Sequence, residues 1–468
     1  MKRGISTATA VIVLIVVVIA AVAGTYLALG SRSNSTVTSV ITTGSGGGVT
    51  TVTQGGTTIT QGGSTITQGG STVTLGGTTV TQTVAGSNKY IKIGFITSLS
   101  GVATALGQQM IQGAEYAVQQ INNAGGVCYA NQCKNVSLIV VDNGDTTDVA
   151  VSSVNALIAE NVSAVIGFVY TGDVYATQNA LLSHKIITIM TSASYNGLLT
   201  QLSGANYSTY KYLYRVGPND SELGYDAFAF MQLANATGYV SINEDFQYTH
   251  DVNAYLQNYT AAAGIKNLDT EYTPYSATDY SAQITKIDSL HPTAVIGTFS
   301  GSNGFAFLKQ YKADPIASKI PIYFAGGPWG SSATISSLNA AQPGSADYIA
   351  DGTLGWNISL TNLSGPFCQT MISTYGACNV GTQGVNYDAV YSYVKGIEAA
   401  HSANPDAVVS AMQNLTFAGA SGNIAFTSLH QDRLDPGFAP LPIIEWIKGQ
   451  AYVIWPSTYA QSKYVPPP

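Results

Sequence analysis

The stretch Tyr90-Ile91-Lys92-Ile93-Gly94-Phe95-Ile96, running into Thr97-Ser98-Leu99-Ser100-Gly101, decides the fold class of this chain. Its first seven residues alternate as a β-strand does, and the Ser-Leu-Ser-Gly run breaks the pattern. From about 105 to 122 the period becomes helical, with Met110, Ala114, Ala117, Val118 and Ile121 on one face. The same pair of signals recurs along the chain. Strands are predicted at 136–142, 164–167 and 186–190, with helical patterns at 149–160 and 174–184 between them. Further strands follow at 238–242, 293–297 and 322–325, again separated by helices. Alternating βα units of this kind form doubly wound parallel sheets. The folded region, about 375 residues, is too long for one such sheet, so two α/β lobes are expected.

Upstream the composition changes twice. Lys2 and Arg3 precede an uninterrupted apolar run over about 10–29, long enough at helical rise to span a ~30 Å hydrocarbon core. The charges place the N-terminus in the cytoplasm and the remainder outside. Gly4, directly after Lys2-Arg3, also resembles the class III, pilin-like signal of archaea, whose cleavage would leave the apolar helix on the mature protein. Residues 1–30 are therefore expected to be a membrane anchor or signal. Residues 31–88 are rich in Ser, Thr and Gly and carry a seven-residue repeat: GGTTITQ, GGSTITQ, GGSTVTL, GGTTVTQ. Two glycines and one regular apolar residue per unit cannot build a coiled-coil seam. A flexible, disordered stalk with a reach of roughly 40 Å is expected, with stacked β-repeats as the alternative.

Charged residues make up only 9% of the chain, and the net charge is −7. Without a dense Lys/Arg cluster, a nucleic-acid partner is not expected. An acidic exterior is one reading of the scarce charge; a compositional bias from the polar stalk is the other. The four cysteines fall in two close pairs, Cys128 with Cys133 and Cys368 with Cys378. Neither spacing suits zinc, and no histidine stands near in ligand spacing. Two local disulfides are the expected arrangement, with free buried thiols as the alternative. No GxSxG, HExxH or P-loop occurs, and the five histidines are scattered, so neither an enzyme nor a metal or cofactor site is predicted.

Several runs together resemble the leucine/isoleucine/valine-type substrate-binding proteins of ABC importers. They include 91–101 with Ala105-Leu106-Gly107-Gln108-Gln109, then Gln120-Ile121-Asn122-Asn123-Ala124-Gly125-Gly126-Val127 and Val165-Ile166-Gly167. Thr191-Ser192-Ala193-Ser194, Arg215-Val216-Gly217-Pro218-Asn219-Asp220, Tyr387-Asp388-Ala389-Val390-Tyr391 and Gly419-Ala420-Ser421-Gly422-Asn423 follow in the family's order. The resemblance implies a type I periplasmic-binding-protein fold: two lobes with a central cleft, joined by three crossings near Arg215, Gly355 and Phe417. Lobe 1 would comprise 89–216 and 356–417, and lobe 2 would comprise 217–355 and 418–468. It also implies an extracytoplasmic protein that closes on a small ligand and delivers it to an ABC permease and its ATPase.

By the same resemblance, Thr171 stands where the family has an anchoring serine, with Tyr170 beside it. Ala193, Ser194 and Tyr195 form a second carboxylate-binding turn, and hydroxyl-rich turns of this kind suit an anion. From lobe 2, Tyr248, Phe299 or Ser300, and Trp329 would contact the ligand. Amino-acid binders of the family place a carboxylate at the position held here by Pro328. Either Asp173 or Glu222 replaces it, or the ligand is an amide or an aromatic or aliphatic carboxylate rather than an ordinary amino acid. A sensory ectodomain of the same fold and a structural surface protein are the rival readings. Only about nine residues precede the apolar run, too few for a cytoplasmic output domain, which favours transport. Asn-x-Ser/Thr sequons, including those at Asn34, Asn135, Asn161, Asn206, Asn235, Asn258, Asn357, Asn362 and Asn414, fit an outside location. Deleting residues 1–30 should shift the protein from the membrane to the soluble fraction on ultracentrifugation; retention in the pellet contradicts the anchor.

Overall fold

The computed structural model describes residues 90–468 apart from 102, 301, 328, 330, 331, 342, 353–359 and 436. Upstream it describes the backbone of 39–43, 50–54, 57–61, 65–68, 71–74 and 79–81. The apolar run at 10–29 lies outside the described residues. Among the described residues no helix is long and apolar enough to cross a membrane.

The repeats depart from expectation. In place of a disordered stalk, they form a six-stranded antiparallel sheet whose strands pair in chain order. Each unit has a Thr-Ile-Thr or Thr-Val-Thr centre, β-branched throughout, which favours an extended backbone. The seven-residue period sets Val52 opposite Ile59, Ile59 opposite Ile66, and Ile66 opposite Val73. The glycines fall between the strands, so they do not weaken the ladder.

In the first lobe, strand β1 (Tyr90–Thr97) is central. It pairs in parallel with β3 (Gln132–Asp142) on one side and β4 (Ala164–Gly167) on the other. The sheet continues through β5 (Ile187–Met190) to β6 (Leu213–Arg215). A short β2 (Val127–Tyr129) pairs antiparallel with β3, and the Cys128–Cys133 disulfide joins this hairpin. Cys368–Cys378 forms the second local disulfide, as expected, and no described cysteine is free. Helices α1 (Thr104–Asn123), α2 (Thr147–Ala159) and α3 (Thr171–Ser183) follow β1, β3 and β4. Phe95, Ile96, Ile166 and Ile189 are fully buried at the sheet's centre.

The second lobe holds a seven-stranded sheet. Its parallel part runs β8 (Lys266–Thr273), β7 (Gly238–Glu244), β9 (Ala294–Thr298), β10 (Ile322–Phe324) and β11 (Ile349–Gly352). Two later strands extend it antiparallel, with 443–447 pairing β11 and 450–455 on the edge. Neither of these two strands is foreseen in the sequence, because a single hairpin carries no βα alternation. Helix α4 (Asp220–Leu233) enters this lobe directly after the crossing at Arg215, and α5 (Gln247–Ala263) follows β7. The crossing expected near Gly355 lies outside the described residues. Phe417 sits in a small strand, Thr416–Ala418, paired with Asn423–Ala425.

The interior is rich in carboxyl groups that burial pushes upward. Asp388, which accepts from Ala420 N, Ser421 N and Ser421 Oγ, rises to about 7. Asp220, Glu222 and Glu445 are also raised to about 7, and Asp173 to about 6, in each case chiefly by desolvation. Between about pH 4 and 7 the folded chain holds protons that the unfolded chain has released, so stability falls as pH rises through this window. His430 works the other way: burial holds it neutral to about 4, which costs stability below its ordinary range. The carboxyls outnumber it. Urea unfolding should therefore give a free energy at least about 1.4 kcal/mol higher near pH 5 than near pH 7.5, the worth of one single-unit shift. A stability that climbs from pH 5 to neutrality contradicts this.

Candidate ligand-binding cleft

Every loop that leaves the C-terminal end of a parallel strand points at one place. Open α/β sheets bind ligands there, where successive connections diverge to opposite faces. Between the lobes lies a cavity of about 440 Å³, within the usual ~300–1,000 Å³ of small-molecule sites. Its wall draws on Asp145 and Thr147 after β3, on 169–173 after β4, and on Thr191, Ser192 and Ser194 after β5. From the second lobe come Phe246, Gln247 and Tyr248 after β7, Tyr275 after β8, and Ser300 after β9.

Close backbone approaches shape this wall. Gly167 ends β4 at φ +117°, where a Cβ would lie 2.2 Å from the Ile96 carbonyl oxygen. Gly327 in the second lobe has φ +94° and would place a Cβ 2.2 Å from the Phe299 carbonyl. Neither site admits a side chain. Past Gly167 the chain turns into α3, whose N-cap, Tyr170, supplies no side-chain cap. The first-turn N–H groups of α3, at Thr171, Gly172 and Asp173, thus start at the cavity wall with their donors uncapped by a side chain.

Of the residues singled out in the sequence, Tyr170, Thr171, Ser194, Tyr248 and Ser300 line the cavity. The others do not. Ala193 is buried behind the turn, and Tyr195 instead uses its carbonyl, which accepts from Arg215 Nη2 at 2.6 Å. Phe299 and Trp329 are core residues of the second lobe: Phe299 stacks on Phe307 at 5.4 Å, and Trp329 on Phe324 at 3.8 Å. Both are fully buried, because at these strand ends the aromatic side chains turn under the loop rather than over the cleft. Glu222 closes a capping box with Asn219 at the start of α4 and is absent from the wall. Asp173 does line it. Pro328 lies outside the described residues.

Two polar assemblies hold the walls. In the second lobe the buried Glu244 accepts from Tyr248 Oη (2.7 Å), Ser300 N (2.9 Å), Ser300 Oγ (2.5 Å) and Asn303 Nδ2 (3.2 Å). Burial raises its carboxyl, and these four donors oppose the shift. Tyr248 and Ser300 are therefore oriented by one carboxylate. In the first lobe Asp145 accepts from Ser98 Oγ (3.0 Å) and Tyr170 Oη (2.8 Å), and Asp173 accepts from Asn143 Nδ2 (2.8 Å). Among the described lining residues Asp145 and Asp173 are the carboxylates, and no Lys or Arg stands with them. Aromatic rings close the gap between lobes. Tyr170 stacks on Phe246 at 5.9 Å, Phe246 meets Tyr275 edge-on at 5.0 Å, and the Tyr170 and Tyr275 hydroxyls are 3.3 Å apart. Phe246, Tyr275 and Asp145 are not foreseen in the sequence. Phe246 adjoins Tyr248, and Asp145 follows a predicted strand end, which is the signal that points to them. No group of three or more His, Cys, Asp or Glu suited to a metal occurs among the described residues.

Comparison with known proteins agrees with this architecture. A family model described as periplasmic binding protein matches residues 90–441. The chain is 24% identical over 342 residues to the leucine-, isoleucine-, valine-, threonine-, and alanine-binding protein of Pseudomonas aeruginosa, covering 72% of this chain and 85% of that one. It is 22% identical over 395 residues to Leu/Ile/Val-binding protein homolog 8 of Brucella melitensis, covering 80% and 92%. A match to homolog 3 of the same organism, 31% identical, spans only 27% of that protein. Among solved structures, the branched-chain amino acid transporter substrate binding protein LivJ of Streptococcus pneumoniae, in complex with isoleucine, superposes with a TM-score of 0.66 at 20% identity, over 78% of this chain and 98% of that one. A solute binding protein of an ABC transporter from R. palustris, in complex with benzoate, gives 0.65 at 18% identity, over 78% and 95%. The chain belongs to the periplasmic binding protein family, with Leu/Ile/Val-binding proteins among its relatives.

Proposed function

We propose that this chain captures an amino acid or a related small carboxylate or amide in the interlobe cleft and delivers it to an ABC permease and its ATPase. The observation that carries the reading is the two-walled cavity itself: both lobes furnish polar groups at strand C-termini, and aromatic contacts bridge the gap. The hinge divides 89–216 and 360 to about 430 from 217–352 and the strands at 443–455, and closure brings the two walls onto the ligand. The third crossing lies beside Arg215 rather than at Phe417, because Ala420 and Ser421 beyond it still donate to Asp388 of the first lobe. The protein works outside the cytoplasm, tethered by the apolar run near its N-terminus.

On this reading Thr171, Ser192, Ser194 and the uncapped first turn of α3 hold the ligand's carboxylate or amide end. Tyr170, Phe246 and Tyr275 cover its body, while Tyr248 and Ser300 face it from the second lobe. Asp173 and Asp145 take the place of the missing lobe 2 acid as partners for an ammonium group, so the charge pair moves to the first lobe. Carboxylates at the wall favour a ligand that carries an amine over a bare aromatic acid.

A thermal-shift screen of residues 88–468 against amino acids, amides, aromatic acids and urea tests the reading. The matching ligand, at about 100 times its Kd, should add about 2.7 kcal/mol of stability. Thr171→Ala and Tyr248→Ala should each abolish most of that shift, and Asp173→Asn should do so for an amine-bearing ligand. Since the Asp173 carboxyl sits at about 6, affinity for such a ligand should weaken as pH falls through that value. A ligand whose shift is untouched by all three substitutions would place the site elsewhere.

A further inference from the structure

The ligand site makes no use of the chain's Asn-x-Ser/Thr triplets. Asn34 and Asn357 fall outside the described residues. Eight others are described, and seven of them are exposed: Asn135, Asn161, Asn206 and Asn235, then Asn258, Asn362 and Asn414. The eighth, Asn219 in Asn219-Asp220-Ser221, is buried and accepts from Ser221 N and Glu222 N as the cap of α4. Of the sixteen described asparagines without the motif, only six are exposed. Possession of the motif and exposure go together, with the one exception committed to a structural bond.

Placement adds an independent observation. In these sheets the strand C-termini face the cleft, so the N-terminal strand ends lie at the far pole of each lobe. Asn135 stands early in β3, opposite Tyr90, the first residue of β1. Asn161, Asn206 and Asn235 lie in the connections that lead into β4, β6 and β7. Asn258 falls in the second half of α5, which runs back from the cleft. Asn161 and Asn235 adopt φ +55° and +51°, a turn conformation that asparagine tolerates, and both are exposed. No described motif asparagine lines the cavity.

We propose that the far poles of both lobes carry N-linked oligosaccharides on these exposed asparagines, while the cleft and its rim stay bare. The donor is an oligosaccharide activated as a lipid-linked phosphate ester. The asparagine Nδ2 forms a bond to the sugar's anomeric carbon, the bond from that carbon to the phosphate oxygen breaks, and the lipid phosphate leaves as one amide proton is lost. Neutral, hydrated sugar also suits a surface on which the whole chain has only 9% charged residues. Such a coat leaves hinge motion and ligand entry unobstructed.

Intact-mass and glycopeptide analysis of the full-length protein, purified from the cells that naturally make it, tests the proposal. The expected result is a mass above that of the bare 48.7 kDa chain, with sugar on most of the seven exposed asparagines and none on Asn219. Asn→Gln replacement at Asn135, Asn161, Asn206, Asn235 and Asn258 together should remove the corresponding mass and leave ligand affinity within about twofold, under 0.5 kcal/mol. A bare polypeptide mass overturns the proposal, as does sugar confined to Asn219 or to asparagines outside the motif. A more than tenfold loss of affinity in the five-site variant, with its melting temperature unchanged, overturns the placement of the sugar away from the cleft.

Discussion

A buried arginine at the crossing between lobes is the constraint on which the rest depends. Arg215 is 1% exposed, ends the last strand of the first sheet, and donates from Nη1 to Gln431 Oε1 and from Nη2 to the Tyr195 carbonyl. Its backbone pairs with the returning chain through His430 O and Asp432 N. Asp432 Oδ2 in turn accepts from Gly217 N, and Gln431 Nε2 donates to Gly217 O. One guanidinium thus ties two chain crossings to the turn that carries Ser194. Burial lowers its pKa to about 10, with Asp220, Asp432 and Glu222 pulling the other way, so it stays charged throughout the physiological range. A buried charge held this closely is costly to break and fixes the geometry of the crossing.

The cleft follows the same economy. Instead of many charges, single carboxylates each organise several neutral groups. Glu244 aims Tyr248 and Ser300 into the cavity from the second lobe, and Asp145 aims Tyr170 from the first. Glu244 stands behind the hydroxyls it orients, whereas Asp145 and Asp173 reach the cavity wall themselves. This arrangement sets oriented hydroxyls in the cleft of a chain poor in charge.

Much of this was legible in the sequence, and the reasons for the rest are physical. The alternation at 90–96 and the helical period after it place β1 and α1 correctly, because a buried central strand and an amphipathic helix leave periodic marks. Thr171, Ser194, Tyr248 and Ser300 fall on the wall because a strand's C-terminal end fixes where the next few residues go. Phe299, one residue past β9, and Trp329, five past β10, follow the same rule yet pack inward, since an aromatic ring near a strand end gains as much from the core as from a cleft. Tyr275 was illegible: its role comes from the other lobe's Tyr170, 105 positions away in sequence. The repeats misled for a different reason. Glycine pairs read as flexibility, but between β-branched triplets they act as punctuation for strands.

The central claim is that two lobes close on a solute held between them. Small-angle scattering of residues 88–468, with and without the ligand found by screening, tests it most directly. Closure about the Arg215 crossing predicts a smaller radius of gyration with ligand, and a saturable change that follows the binding curve. Saturable binding with an unchanged radius of gyration, when the unliganded protein is more open than the Tyr170–Tyr275 contact allows, would contradict the account.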